Sequence, residues 1–318
     1  MKRQNRRSFL TTTIAAGCAT ALIPAATFAS GRKSKQPKPI LLGGPSFSNS
    51  SDPEELARAH RTLGYSAAYC PAIAVADAGK IRAFREAFAK HSIVFAEVGR
   101  WVNLMDADPG KRKENLEKVT DGLALAEEIG ARCCVDIAGS FNPTSWFGPH
   151  PDNFSRMHFD ASVENARRII DAVKPTRTHF CYEMMGWAHP HDVESCLKLL
   201  RAVDRKGFAV HLDPCNLINS PHKFYDNTAL LNECFDKLGR WIVSCHAKDL
   251  VWDVEMNIHF REVAPGKGTL DYATFLKRLA RLPQQPPLML EHMPNAEEYK
   301  AGADYIRAVG GRETLSFA

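Results

Sequence analysis

Residues 179–213 read HFCYEMMGWAHPHDVESCLKLLRAVDRKGFAVHLD. The stretch opens on a short apolar run, His179–Met184, passes through an amphipathic segment over 190–206, and closes on a second apolar run, Phe208–Asp213. Runs with so little polar alternation suit strands covered on both faces of a sheet. A helix-length segment between them is what a parallel crossover needs, because parallel neighbours cannot be joined by a tight hairpin. The first run reaches a carboxylate at Glu183 and the second at Asp213.

Outward from this unit the same rhythm fills the chain. The short runs are Ile40–Gly43, Tyr65–Cys70, Ile93–Val98, Cys133–Ala138, His179–Met184, Phe208–Asp213, Trp241–His246 and Pro287–Glu291. Between and after them the spacing predicts helices over 53–63, 77–91, 110–130, 160–174, 190–206, 226–238, 271–281 and 295–309. In 110–130, Leu116, Val119, Leu123, Ala126 and Ile129 recur every three or four residues, which puts them on one helix face. Asp160 and Asp271 read as N-caps, and Gly64, Gly130 and Gly207 as C-terminal caps. Eight strands alternating with eight helices predict an α/β fold, the (β/α)8 TIM barrel, over 39–318. A doubly wound open sheet is the alternative, but its Gly-x-Gly-x-x-Gly loop is absent and Leu42-Gly43-Gly44-Pro45 does not supply it. Two βα loops, 139–159 and 247–270, are long enough to act as lids and carry Trp146, Phe147, Trp252 and Phe260.

Charge divides the 318 residues unevenly. The whole chain has 41 Lys and Arg against 36 Asp and Glu, a net of +5. Residues 1–38 hold eight of the basic residues and no acid, which leaves 33 basic and 36 acidic residues beyond them, a net of −3. A body of that sign lacks the positive face that phosphate binding requires, so no nucleic acid is expected as a partner. Residues 1–29 read as an export signal: Lys2, Arg3, Arg6 and Arg7, then a mildly apolar stretch, Phe9–Phe28, ending in small residues with cleavage expected at Ala29. Asn5-Arg6-Arg7-Ser8-Phe9-Leu10 resembles the twin-arginine (Tat) signal. That resemblance implies a folded cargo, the Tat translocase as partner during export, and a periplasmic or secreted mature protein. Lipidation at Cys18 ranks below simple cleavage, because the third residue before it is Ala15 rather than Leu. Residues 30–38 form a basic linker. Of the nine cysteines, eight follow the leader; no Cys-x-x-Cys occurs and several lie in apolar runs, so buried free thiols are expected.

The chemistry gathers at the ends of the last four strands, which in this fold meet at one mouth. They supply Glu183, Asp213, His246 and Glu291. A lone acid at a strand end is commonly a helix cap or a surface group, but three carboxylates and an imidazole converging on one point repel unless a cation sits among them. The set predicts one divalent metal ion, with Mn²⁺ first and Mg²⁺, Co²⁺ or Zn²⁺ as alternatives. His211, two residues before Asp213, reads as structural.

Five stretches resemble the xylose-isomerase-like TIM barrels, the sugar-phosphate isomerase/epimerase superfamily. They are Tyr182-Glu183, His211-Leu212-Asp213-Pro214-Cys215-Asn216, Cys245-His246-Ala247-Lys248-Asp249, Pro265-Gly266-Lys267-Gly268-Thr269-Leu270-Asp271 and Leu290-Glu291-His292. The resemblance implies that Glu183, Asp213, His246 and Glu291 bind the metal. It also implies that Glu183 and Glu291 are the catalytic acid and base on opposite faces of a sugar carbon. The chain departs from the ketohexose 3-epimerases at three substrate positions: His189 stands for a Glu, Asn216 for a His and Trp252 for an Arg. Asn216, Lys248, Asp249, His189, Trp187 and Lys267 are the candidate substrate-binding residues, each weighed against a plain structural part such as an ion pair or a turn. Glu97 and Trp101 are expected to line the pocket, and His292 to lie behind it.

The function that follows is an exported, metal-dependent isomerase or epimerase acting on a sugar or sugar derivative. It would remove a proton beside a carbonyl to form an enediolate. A lyase eliminating the aglycone of a keto-sugar glycoside shares that first step. An AP-endonuclease-like nuclease would need more His ligands and a basic groove. A non-catalytic sugar-binding barrel would not need the four-residue set. Assembly as a homo-oligomer is left open.

Overall fold

The computed structural model describes residues 36–318; the expected export signal, with Cys18, and most of the expected linker lie outside the described residues. The elements alternate as β1 (Leu42–Gly43), α1 (Pro53–Thr62), β2 (Ala67–Tyr69), α2 (Ala78–Lys90), β3 (Val94–Gly99), α3 (Pro109–Ile129), β4 (Cys133–Asp136), α4 (Arg156–Val173), β5 (His179–Glu183), α5 (Val193–Val203) and β6 (Phe208–Leu212). They continue as α6 (Pro221–Tyr225), α7 (Asn227–Leu238), β7 (Ile242–Ala247), β8 (Asp249–Trp252), β9 (Phe260–Val263), α8 (Tyr272–Leu279), β10 (Leu288–Leu290) and α9 (Ala296–Arg312). Eight strands close a barrel in the order β1-β10-β7-β6-β5-β4-β3-β2, with every pairing parallel. The fold is the (β/α)8 TIM barrel.

Local chemistry sets the helix ends. Asp52 accepts from the Glu55 amide at the start of α1, where Pro53 costs no hydrogen bond. Asp271 does the same for Thr274 in α8. Gly64 and Gly130 follow α1 and α3 with φ of 72° and 81°, a region that glycine enters without a β-carbon clash. Two expected caps fall elsewhere. Helix α4 begins at Arg156 with Ser155 capping His158, so Asp160 lies inside the helix, paired with the Arg156 guanidinium one turn back. Helix α5 ends on Asp204, itself left-handed at φ 48°, and Gly207 is not its cap. The two long loops also contain structure. One holds a 3-10 turn over Pro151–Phe154, and the other holds the antiparallel hairpin β8–β9.

Apolar packing separates into layers. Between helices and sheet, Phe84 and Phe88 of α2, Leu123 and Ile129 of α3 and Phe275 of α8 are buried, each worth roughly 1.5–3 kcal/mol of transfer free energy. Inside the barrel the apolar residues are mostly small: Ala67 and Ala96 with Leu41 and Met289, and Cys133, Val135, Cys181 and Ala209. Small side chains leave room in the lumen, and polar groups fill it. All eight described cysteines are free, seven of them buried. No described helix is long and apolar enough to cross a membrane.

Candidate metal centre

Glu183 ends β5, Asp213 follows β6, His246 lies near the end of β7, and Glu291 follows β10. In the barrel order β10-β7-β6-β5, the two glutamates flank Asp213 and His246 from either side. One ligand atom from each of the four lies within 4.8 Å of all the others. His246 Nδ1 is the hub, 3.0 Å from Glu183 Oε1, 2.9 Å from Glu291 Oε2 and 3.8 Å from Asp213 Oδ2. Asp213 Oδ2 and Glu291 Oε2 are buried with no well-aligned hydrogen bond, only close ion-pair contacts to Lys248 and, for Glu291, to His246. Buried carboxylate oxygens crowded around one imidazole nitrogen with lone pairs to spare fit a divalent cation.

A second carboxylate works from beneath. Glu97 of β3 reaches across the lumen to β6 and β7. Its Oε1 lies 3.1 Å from His246 Nε2, and its Oε2 lies 2.8 Å from His211 Nε2 and accepts from Ser244 Oγ at 3.2 Å. In the tautomer that donates Nε2–H to Glu97, the other ring nitrogen of His246 turns its lone pair to the four-residue set. This is how carboxylates orient histidine ligands. Burial alone would push the Glu97 carboxyl up, but the His246 and His211 rings outweigh it and hold it far below the usual range. His246 mirrors this. Burial opposes its charge, yet the carboxylates of Glu97 and Glu291 raise its pKa well above 6.5. That pull on a proton reports the negative potential a cation would meet.

Lys248, only 3% exposed, supplies the one ammonium in the set, 2.8 Å from Asp213 Oδ2 and 2.9 Å from Glu291 Oε2. Burial works against ionisation of Glu291, but His246 and Lys248 bring it down to about 2. Asn216 Nδ2 donates to Glu183 Oε1 at 3.2 Å. Above these groups opens a cavity of about 500 Å³, lined by Trp101, Trp146, Phe147, Trp187, Asn216 and Lys248 among others. A larger groove of about 710 Å³ lies between α2, α3 and α4 and contains none of this chemistry.

The cavity therefore gathers Asn216, Lys248 and Trp187 of the expected substrate residues, along with Trp101. It does not gather three others. The Asp249 carboxylate is fully used by backbone amides: Leu250 and Leu270 on Oδ1, Gly266 and Gly268 on Oδ2, all at 2.9–3.1 Å. Gly266 at φ 90° makes the turn, and a β-carbon at Gly268 would collide with Leu250 O and Asp249. Lys267, on that turn, points outward to the Glu298 carboxylate. His189 packs beside His158, His191 and Phe159. Trp252 and Phe260 cluster with Phe224 rather than covering the cavity. His292, expected behind the site, lines it and bonds Glu262 at 2.8 Å. Glu97, expected only to line the pocket, proved more central, lying within β3 against both His246 and His211. A carboxylate inside the apolar run Ile93–Val98 was the available signal. Glu262 gave none, because only the β8–β9 pairing turns it toward the cavity.

The family described as xylose isomerase-like TIM barrel matches residues 57–309. The chain belongs to that family. No curated protein matches the sequence. Among solved structures, it is similar to a xylose isomerase-like TIM barrel protein from Mycobacterium smegmatis in complex with magnesium: 16% identity, 87% of this chain and 97% of that one, TM-score 0.60. A 3-keto-D-glucoside 4-epimerase from E. coli, in its apo form, shares 14% identity over 85% of this chain and 99% of that one, TM-score 0.58. Endonuclease IV from Thermus thermophilus shares 17% over 87% of this chain and 100% of that one, TM-score 0.62. At these identities the likeness is one of fold, and the residues of this chain must carry the function. Among the described residues, the only two clusters of potential ligands share His246 and so describe one centre.

Proposed function

We propose that this member of the family is a metal-dependent enzyme that moves a proton beside the carbonyl of a sugar or sugar derivative, an isomerase or epimerase. The observation that carries the reading is the flanking of His246 and Asp213 by two glutamates on β5 and β10. Glu183, Asp213, His246 and Glu291 would hold the ion, Mn²⁺ before Mg²⁺, Co²⁺ or Zn²⁺. Bound there, a divalent cation supplies Lewis-acid stabilisation for the negative charge of an enediolate.

The residues do the rest. A base must start ionised, and the Lys248 ammonium 2.9 Å from Glu291 Oε2 favours that state. One glutamate takes the proton from the sugar carbon, and the other, on the far side of the set, returns one. Asn216 holds the Glu183 carboxylate in place. Trp101, Trp146, Phe147 and Trp187 wall the cavity above these groups. The Arg6-Arg7 leader supports placing this reaction in the periplasm or beyond.

Proton–deuterium exchange tests the proposal. Mn²⁺-loaded protein is incubated in deuterium oxide with a panel of free and oxidised sugars, and the products are read by NMR. Exchange at a carbon beside a carbonyl is expected, lost on chelation and lost in Glu183→Gln and Glu291→Gln. Full exchange in both variants would sink the two-carboxylate mechanism.

A further inference from the structure

The cavity is larger than one sugar needs. A hexose has twelve non-hydrogen atoms, and even at the roughly 30 Å³ that a free water occupies in the liquid, these would take about 360 Å³. The cavity offers about 500 Å³, and Trp101, Glu291 and His292 also line an adjoining one of about 400 Å³. One wall is a run of aromatic rings. Trp146 and Phe147 meet edge to face at 5.1 Å between centroids, and Phe147 and Trp187 lie 5.9 Å apart. Trp146 and Phe147 stay 41% and 48% exposed, leaving apolar surface at the mouth of the cavity.

We propose that the substrate is an oxidised glycoside, with a ketone on the sugar ring beside which the proton is removed and a second ring on the anomeric oxygen, and that Trp146, Phe147 and Trp187 form the surface on which that second ring stacks. The inference rests on the sugar reading above and adds the substrate class. The wall is braced for this. Buried Asn153 donates to Gly148 O at 3.2 Å and to Trp187 O at 3.4 Å and accepts from the Phe141 amide at 3.0 Å, tying the loop that carries Trp146 and Phe147 to the one that carries Trp187. A ring held rigid loses little freedom when a ligand docks. Charge points the same way. No arginine lines the cavity, and its one lysine, Lys248, is already held by Asp213 and Glu291. A phosphate group would find no unpaired lysine or arginine there, whereas a neutral second ring meets aromatic faces.

Calorimetric titration of Mn²⁺-loaded protein with methyl β-D-glucopyranoside, 4-nitrophenyl β-D-glucopyranoside and glucose 6-phosphate tests this. The aryl glycoside is expected to bind about tenfold more tightly than the methyl glycoside, a gap of about 1.4 kcal/mol. The gap should narrow in Trp187→Ala and in Phe147→Ala, with Mn²⁺ affinity unchanged in both. Phe147, at the rim, guards against a Trp187 variant that does not fold. Equal affinity, no measurable binding of either glycoside, a gap that survives both substitutions, or preference for the phosphosugar would each overturn the proposal. Loss of the aryl preference with deuterium exchange intact removes this inference alone. Absence of exchange with the preference intact removes the reaction alone.

Discussion

Replacing Glu97 with Gln isolates the carboxylate beneath the candidate metal centre. The side chain keeps its shape in a site that is 1% exposed. What changes is charge and donor pattern. The carboxylate now serves His246 at 3.1 Å, His211 at 2.8 Å and Ser244 at 3.2 Å with two accepting oxygens. An amide has one oxygen, so its NH₂ must face one of the rings, and the negative charge that makes His246 a stronger ligand is gone. Loss of such a partner typically costs 10- to 100-fold in metal affinity, or about 1.4–2.7 kcal/mol. With free Mn²⁺ at 100 times the wild-type Kd, the ion stabilises wild type by about 2.7 kcal/mol, and the variant by about 1.4 to 0.4 kcal/mol. The assay is calorimetric titration of chelator-stripped protein with Mn²⁺, paired with thermal unfolding at fixed Mn²⁺. An apo variant that unfolds cooperatively shows that the fold is kept. A Kd within threefold of wild type, with an equal Mn²⁺-induced stabilisation, would refute the orienting role of Glu97.

Two further expectations concern stability. Asp249→Ala should cost roughly 3–5 kcal/mol in urea unfolding, because four backbone amides lose their only side-chain acceptor and the turn at Gly266–Gly268 is released; a loss under 1 kcal/mol would return Asp249 to the pool of substrate ligands. Asp136 is buried, with Oδ1 accepting from the Val102 and Ile137 amides and Oδ2 without a partner, and burial pushes its pKa well above the carboxylate range. The folded state then holds a proton that the unfolded state releases above about pH 4, so stability falls as pH rises toward the folded pKa, by at most about 1.4 kcal/mol per pH unit. Asp136→Asn should lack that decline, and urea midpoints of the two proteins that run parallel from pH 4 upward would contradict it.

Much of this molecule is legible in its order of residues. The alternation of apolar runs with amphipathic segments gives away the eight barrel strands and the eight helices between them, though not α6 or the β8–β9 hairpin, because a parallel strand covered on both faces has no polar side to show. Strand-end position then brings Glu183, Asp213, His246 and Glu291 to one mouth, since every barrel strand points the same way. Asp271, Gly64 and Gly130 mark helix ends through local hydrogen bonding and backbone geometry alone. Those readings depend on neighbours within a few residues, or on a closure that repeats the same unit.

The tertiary structure decided what depends on distance across the barrel. Asp249 looked like a ligand beside Lys248, yet successive residues after β7 face differently, and only folding shows that one reaches the carboxylates while the other knots a turn seventeen residues away. Glu97 is separated from His246 by 149 residues, so no spacing rule joins them. Trp252 and Trp146 sat in equivalent loops, and packing against Phe224 took the first away from the cavity while Asn153 tied the second to it. The sequence determined which groups stand at the mouth of the barrel, because strand direction is a property of the chain. Which of them face one another, and how wide a space they enclose, was settled by side-chain packing across the lumen.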